Sequence, residues 1–105
     1  MLRLRRRVAV AAQAVHTREA TDATGGVYRE DDGEPFPLEC VALKAERGLA
    51  LGEAGVRGAR RILARKDAGL RMHDRVALPG ETGRLAVTEL REMPRHVRAR
   101  LEEAP

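Results

Sequence analysis

The stretch that most constrains this chain is residues 70–90, which reads LRMHDRVALPGETGRLAVTEL. Val76 and Leu78 share one parity before the segment PGETG, and Leu85 and Val87 share one parity after it. Alternation with period two is typical of β-strands, whereas proline and glycine interrupt a strand and favour a turn. The stretch therefore predicts a β-hairpin, and the chain must place two short strands side by side.

Three other segments favour further strands. The N-terminal run LRLRRRVAVAAQAV alternates aliphatic with basic residues, and it is expected to become buried only near Val8. Residues 38–44, LECVALK, and residues 60–65, RRILAR, are short apolar runs bounded by polar or glycine-containing sequence. The residues expected to form the core are Val8, Val10, Cys40, Ile62, Val76, Leu78, Leu85 and Val87.

The C-terminal tail RHVRARLEEAP favours a different element. Val97 and Leu101 lie four residues apart with mixed charges around them, and this spacing predicts a short amphipathic helix over residues 95–103. The fold predicted for residues 1–105 is a single mainly β domain, a small antiparallel β-barrel with long loops and a short C-terminal helix.

The interior of such a barrel is expected to be thin. The 105 residues include one Tyr, one Phe and no Trp, so Leu, Val and Ala with a single Ile must fill the core. Cys40 is the only cysteine, which excludes an intrachain disulfide, and it is expected to be a small buried hydrophobe. A thin core favours completion by neighbouring subunits.

Two segments are expected to lie outside the barrel. Residues 17–37 are polar and acidic, and they predict either a long loop or an exposed hairpin. Residues 46–60 contain glycines at every third or fourth position, each costing a helix about 1 kcal/mol relative to Ala, so they predict a flexible loop. Charge follows the same division: residues 17–46 are acidic, whereas residues 1–16 and 55–75 are basic within a net charge of +4.

No catalytic, cofactor or metal motif accompanies these elements. The three histidines are far apart and the chain has no serine, so a hydrolytic triad has no evident nucleophile. His73 and Asp74 are neighbours that would point to opposite faces of a strand, and the acidic segment DDGE lacks the spacing of a calcium loop. We expect neither an enzyme nor a cofactor. The Ala-rich N-terminus predicts no signal peptide or membrane span, which favours an intracellular protein.

Nucleic-acid binding is the alternative that the basic segments favour. A small β-barrel with arginine blocks is compatible with OB-like or SH3-like folds, which commonly stack bases on aromatic residues. Tyr28 and Phe36 are the only aromatic residues and lie near acids, so base stacking is poorly served. Contact with the nucleic-acid backbone, independent of sequence, is the remaining mechanism. It would use Arg57, Arg60, Arg61, Arg65 and Lys66.

The segments LRRRVAV, GGVYREDDGE, LECVALK and HDRVALPGETGRLAVTELREMPRHVRARLEE together resemble the head-tail connector family of tailed bacteriophages. The resemblance is to its small β-barrel head-completion or stopper proteins. Their later part typically reads G-D-R-V, a glycine turn, an aromatic-Val-Val segment and a basic stretch with a His before a C-terminal helix. Residues 74–76, residues 83–87 and His96 match this pattern, while His73 replaces the usual glycine and Leu85 the usual aromatic residue.

The resemblance implies a structural virion protein at the head-tail junction, made in the host bacterial cytoplasm. Such proteins form a ring, usually six-fold, below the portal or adaptor ring and above the tail proteins, and they help to retain packaged DNA, with no membrane or cofactor involved. By position, the loop facing the channel or its DNA would comprise Gly48, Gly52, Gly55, Arg57, Gly58, Arg60 and Arg61. Contacts between subunits or rings would comprise Arg3, Arg5, Arg7, Asp31, Asp32 and Glu34.

Overall fold

The computed structural model describes residues 9–43 and 60–103 of the chain. These residues form strands β1 (Ala9–Val15), β2 (Thr17–Thr21), β3 (Val27–Asp31), β4 (Phe36–Leu43), β5 (Arg60–Arg65), β6 (Arg75–Ala77), β7 (Leu85–Glu92) and β8 (His96–Glu103), with a 3-10 helix (Lys66–Ala68) after β5. The start of the predicted N-terminal strand, with Val8, lies outside the described residues, as does the glycine-rich segment up to residue 59.

Six of these strands close into an antiparallel barrel in the order β1-β4-β5-β8-β7-β6, and β6 returns to pair with β1. Strands β2 and β3 form a separate antiparallel hairpin, inserted between β1 and β4. The prediction of a mainly β fold with a small antiparallel barrel is confirmed. Closure matters for the stability of the six strands because it leaves none of them at a free edge of the sheet.

One face of each barrel strand fills the interior. The largest side chains that are completely enclosed belong to Leu38, Ile62, Val76, Val87 and Leu101, together with one acid. Alanines on β1, β5 and β8 supply much of the rest, and the buried cluster of the described residues contains no aromatic ring. Of the residues expected in the core, those that are buried are Cys40, Ile62, Val76, Leu85 and Val87, and those that pack partly buried against them are Val10 and Leu78.

The prediction of a C-terminal helix over residues 95–103 is wrong, because these residues form β8. Val97 and Leu101 are four residues apart, a spacing that fits a helix and a strand equally well. Ala99 lies between them and is buried too, so the alternation has period two. The neighbouring strands β5 and β7 pair with both edges of β8, which satisfies its backbone polar groups and places it inside the sheet.

The hairpin predicted for residues 70–90 is present as β6 and β7, but its first strand is short. Only two residue pairs join them, Arg75 with Ala86 and Val76 with Leu85. Leu78 lies beyond the end of β6. The turn between the strands contains Gly80 and Gly83 with φ values of 86° and 81°, a region that residues with side chains rarely adopt.

The strand directions place the β2–β3 hairpin at one end of the barrel and the junction from β4 to β5 at the other. Because all pairs are antiparallel, β1, β5 and β7 run one way and β4, β6 and β8 run the other. The β2–β3 hairpin connects the end of β1 to the start of β4, whereas residues 44–59 connect the end of β4 to the start of β5. The hairpin therefore lies at one end of the barrel, and the end of β4 and the start of β5 lie at the other.

Candidate functional site

The β2–β3 hairpin, called the hairpin from here on, joins the barrel through a buried carboxylate. Asp74 precedes β6 and is 1% exposed. Its two carboxylate oxygens lie 2.9 and 3.0 Å from Nδ1 of His16, the residue between β1 and β2. Its Oδ2 also accepts the backbone N–H of Arg71 at 2.8 Å, and the His16 ring lies 4.8 Å from the Phe36 ring between centroids. A buried carboxylate is costly unless donors satisfy it, so these contacts hold Asp74 in place.

The backbone on both sides of Asp74 is fixed as well. The N–H of His73 donates to the Val87 carbonyl at 3.1 Å, and the N–H of Val87 donates to the Asp74 carbonyl at 2.9 Å. The Thr17 hydroxyl donates to the His73 carbonyl at 2.7 Å. His73 has a φ of 72°, which is uncommon for a residue other than glycine and persists where the surroundings determine it. The base of the hairpin, residues 71–74 and β7 are thus one connected unit.

Sequence reasoning missed this pair. It considered His73 beside Asp74, but His73 is exposed and the partner of Asp74 is His16, 58 positions earlier. No spacing links the two residues, because they meet only when β6 closes the barrel against β1. The one available signal was an acid placed directly before an apolar strand, where a carboxylate has to find donors if it is enclosed.

A second contact between hairpin and barrel is ionic. Asp31, at the end of β3, lies 2.9 Å from a guanidinium nitrogen of Arg84 and 3.5 Å from one of Arg75. Arg75 also donates to the Arg29 carbonyl at 3.0 Å. Asp31 was predicted to contact neighbouring subunits or rings. The structure places its carboxylate against two arginines of the same chain, which neutralises part of the acidic segment internally.

Polar contacts within the hairpin order its tip and its outer side. The carboxylate of Asp22 accepts hydrogen bonds from the hydroxyl and N–H of Thr24 and from the N–H of Gly26, which lower the pKa of Asp22 below its ordinary value. Arg18 and Glu30 pair at 2.7 Å across the two strands, and the bond to Glu30 raises the pKa of the guanidinium. These contacts give the hairpin a defined structure. Of the two alternatives for residues 17–37, the exposed hairpin is present over residues 17–31, whereas Phe36 and Pro37 begin barrel strand β4.

An apolar groove lies between this hairpin and the barrel. Val27, Tyr28 and Met72 are large apolar side chains that are 66%, 47% and 41% exposed, and all three line the groove. Its volume is about 630 Å³. Exposed apolar side chains scattered singly are ordinary, but three in one groove mark a surface suited to contact with another protein. The groove is completed by Arg29, His73, Arg75, Ala86, Val87 and Thr88.

Four arginines form a second groove on the outer face of β5, β8 and β7, here called the arginine groove. Arg61 is directly opposite Arg100 across the β5–β8 pair, and Arg98 is directly opposite Arg91 across the β8–β7 pair. The groove has a volume of about 460 Å³ and is completed by Glu89, Leu90 and Ala99. Like charges placed directly opposite each other destabilise a sheet, so this arrangement is not one that folding alone favours.

The other predicted site residues are dispersed. Arg60 begins β5, and its Nε lies 2.8 Å from Glu81 in the turn after β6. Asp32 and Glu34 are exposed in the link from β3 to β4, where the N–H of Asp32 donates to the His16 carbonyl at 2.8 Å. The predicted residues that lie outside the described part of the chain are Arg3, Arg5, Arg7, Gly48, Gly52, Gly55, Arg57 and Gly58.

Cys40 is 2% exposed, and burial raises the pKa of its thiol above the ordinary value of 9.0. We expect the folded protein to resist alkylation, because the thiolate is the reactive form and the side chain is enclosed. The unfolded thiol ionises first as pH rises, so stability should fall from about pH 9 upwards toward the higher folded pKa.

The measurements are the alkylation rate with and without denaturant, and the unfolding free energy between about pH 8 and about pH 11. Cys40→Ala should remove that share of the alkaline loss. Alkylation of the folded chain as fast as that of the denatured chain would contradict the burial of Cys40.

Within residues 9–43 and 60–103, no group of three or more His, Cys, Asp or Glu side chains is placed to hold a metal ion. No helix in the same residues has the length and apolar character needed to cross a membrane. Comparison with protein-family models, with curated proteins and with solved structures finds no match to this chain.

Proposed function

We propose that this protein is a structural component of a tailed-phage virion, a connector of the stopper type. In this proposal it forms a ring, six-fold in the particle, below the portal or adaptor ring, joins the head to the tail and helps to retain packaged DNA. The observation that carries the proposal is the hairpin, which is fixed to the barrel by Asp74 and Asp31 and yet exposes apolar side chains in the groove beside it. A fixed element with an exposed apolar surface serves assembly.

The backbone at His73 supports the resemblance on which the proposal rests. The residue before Asp74-Arg75-Val76 is usually glycine in the stopper proteins, and here it is a histidine in the left-handed region that glycine favours. The same backbone turn can thus be made with a different side chain. The small antiparallel barrel agrees with the family fold, although β8 stands where the family pattern has a helix.

In the proposed ring, the apolar groove receives the next copy of the chain. A ring requires a heterologous interface, in which one surface meets a different surface of the neighbouring subunit. Asp32 and Glu34, which are exposed beside the hairpin, are available for the polar rim of that contact. The glycine-rich segment 46–60 keeps its proposed role as the channel-facing loop, since β4 ends and β5 begins at the barrel end opposite the hairpin.

Electron microscopy of particles labelled with an antibody against this chain tests the proposal. We expect the label at the head-tail junction. Val27→Lys combined with Met72→Lys should greatly reduce incorporation, because two charges would enter the apolar groove. Thr82→Lys is the control for the single change Val27→Lys, since each adds one lysine and Thr82 is exposed in the turn between β6 and β7, away from that groove.

Deletion of residues 48–58 is expected to give particles that assemble but lose DNA. Full retention of DNA by the deletion variant would count against the gating role of this segment. Wild-type particles that carry no antibody label would refute the connector itself.

The arginine groove favours a second candidate function, contact with a nucleic-acid backbone by a small β-barrel protein. It adds Arg91, Arg98 and Arg100 to the residues that the sequence indicated, and it places Arg61 beside them. Arg65 is exposed next to Asp67, and Lys66 follows in the 3-10 helix. This candidate requires no ring, so it stands or falls independently of the connector.

A further inference from the structure

We propose that the arginine groove is a sequence-independent binding site for the phosphodiester backbone of duplex DNA. The inference rests on nucleic-acid contact, either with packaged DNA or in the second candidate function, and it assigns that contact to a defined surface. The residues that would bind phosphates are Arg61, Arg91, Arg98 and Arg100. Three of the four lie on β7 and β8, outside the basic segments of the sequence.

The strand geometry sets the spacing of these arginines. Arg98 and Arg100 are two residues apart on β8 and share its outer face, so their stems are about 7 Å apart, while Arg61 and Arg91 lie on the flanking strands about 5 Å to either side. Guanidinium groups bind phosphate oxygens through two parallel hydrogen bonds. Four such groups on one rigid sheet can engage consecutive phosphates without ordering a loop first.

Among the described residues, Arg100 lies beside two acids, whereas Arg98 has a nitrogen without a hydrogen-bond partner. Nε of Arg100 lies 2.8 Å from Oε2 of Glu102, and Glu89 is opposite Arg100 on β7. Nε of Arg98 is enclosed and has no hydrogen-bond partner among the described residues. An enclosed N–H without an acceptor costs stability, and an anion bound at the half-buried Arg98 would offset that cost.

Two observations favour a DNA duplex over other anions. No aromatic side chain lines the groove, so it lacks the platforms on which single strands stack their bases. The acids that a second copy of the chain would have to offer are partly engaged already, Asp31 by two arginines and Glu30 by Arg18. Phosphates along a duplex backbone meet the charge of the groove without either requirement.

The test compares two triple variants with equal loss of charge. Arg91→Gln, Arg98→Gln and Arg100→Gln remove three charges of the groove, whereas Arg18→Gln, Arg71→Gln and Arg95→Gln remove three exposed charges elsewhere. Binding to a labelled random-sequence duplex is measured by fluorescence anisotropy between about 50 mM and about 200 mM salt. The groove variant should lower the slope of log Kd against log salt by about 3, roughly one per phosphate contact, and the control by less than about 1.

A thermal melt accompanies the binding experiment. Without DNA, the groove variant should be at least as stable as the wild type, because two like-charge pairs across strands are relieved. If the triple variant does not fold, Arg98→Lys replaces it. This change keeps the charge but loses the planar fork, so it should weaken binding while leaving the salt slope nearly unchanged.

Equal losses in the two variants would overturn the proposal in favour of diffuse electrostatic attraction. Tighter binding to single strands than to the duplex would also overturn it, as would a groove variant that loses self-association in sedimentation and retains DNA binding. If the wild type does not bind DNA at low salt, both the site and the second candidate function fail, while the connector remains subject to its own test in particles.

Discussion

Asp74→Ala is expected to lower the free energy of unfolding by about 3 kcal/mol and to loosen the hairpin from the barrel. Hydrogen bonds to charged groups contribute about 1.5–3 kcal/mol each, and a donor left without a partner adds a desolvation cost. The substitution removes the acceptor of both His16 and the N–H of Arg71. Denaturant unfolding measures the stability, and amide hydrogen exchange in β2 and β3 reports the loosening, which should exceed that in β5.

Two further variants, Asp67→Ala and Asp74→Asn, serve as comparisons for Asp74→Ala. Asp67→Ala removes an exposed acid that pairs only with the exposed Arg65 among the described residues, and should change stability by less than about 1 kcal/mol. Asp74→Asn keeps an oxygen for the Arg71 N–H but removes the negative charge, so its effect should lie between those of Asp74→Ala and Asp67→Ala. If Asp74→Ala were as stable as Asp67→Ala, the buried pair would not anchor the hairpin.

Leu101→Ala is expected to cost about 3 kcal/mol, within the range of about 2–5 kcal/mol for truncating an enclosed leucine. Leu101 is 0% exposed and lies between Arg60 of β5 and Val87 of β7 in the pairing register. The alanines of the buried cluster are too short to move into the space that the substitution leaves. Denaturant unfolding at equilibrium measures the loss.

Glu103→Ala is the control for Leu101→Ala, since Glu103 is exposed at the end of the same strand. Its effect should stay within about 0.5 kcal/mol. The comparison also separates a strand from a helix. On a peripheral helix, alanine would gain helix propensity and lose little burial, so a cost below about 1 kcal/mol at residue 101 would contradict the position of β8 inside the sheet.

The sequence could predict the barrel because the barrel depends on local patterns. Period-two alternation indicated β7 through Leu85 and Val87, a short apolar run around Ile62 indicated β5, and glycines indicated the turn between β6 and β7. The same patterns failed at the C-terminus. The spacing of Val97 and Leu101 fits both a helix and a strand. The strand forms because β8 pairs with β5 and β7, and these partners lie outside the C-terminal segment itself.

The candidate sites depend on contacts between residues that are far apart in the sequence. No motif or residue spacing in the sequence predicts these contacts. The His16–Asp74 pair requires β6 to close on β1, and the arginine groove requires β8 to lie between β5 and β7. The basic segment 55–75 indicated positive charge correctly in general, yet Arg98 and Arg100 became neighbours of Arg61 only through the register. Because a helix was predicted for residues 95–103, Arg98 and Arg100 were not expected on the outer face of the sheet.

The shortness of β6 has a mechanical consequence. With three residues, it holds the last seam of the barrel through three pairs to β1 and two to β7. The hairpin is tied to that same seam, since Asp74 precedes β6 and Arg75 is its first residue. A pull on the hairpin would therefore load the weakest joint of the barrel first. Under such a pull, the seam at β6 is expected to separate while the five longer strands of the barrel remain paired.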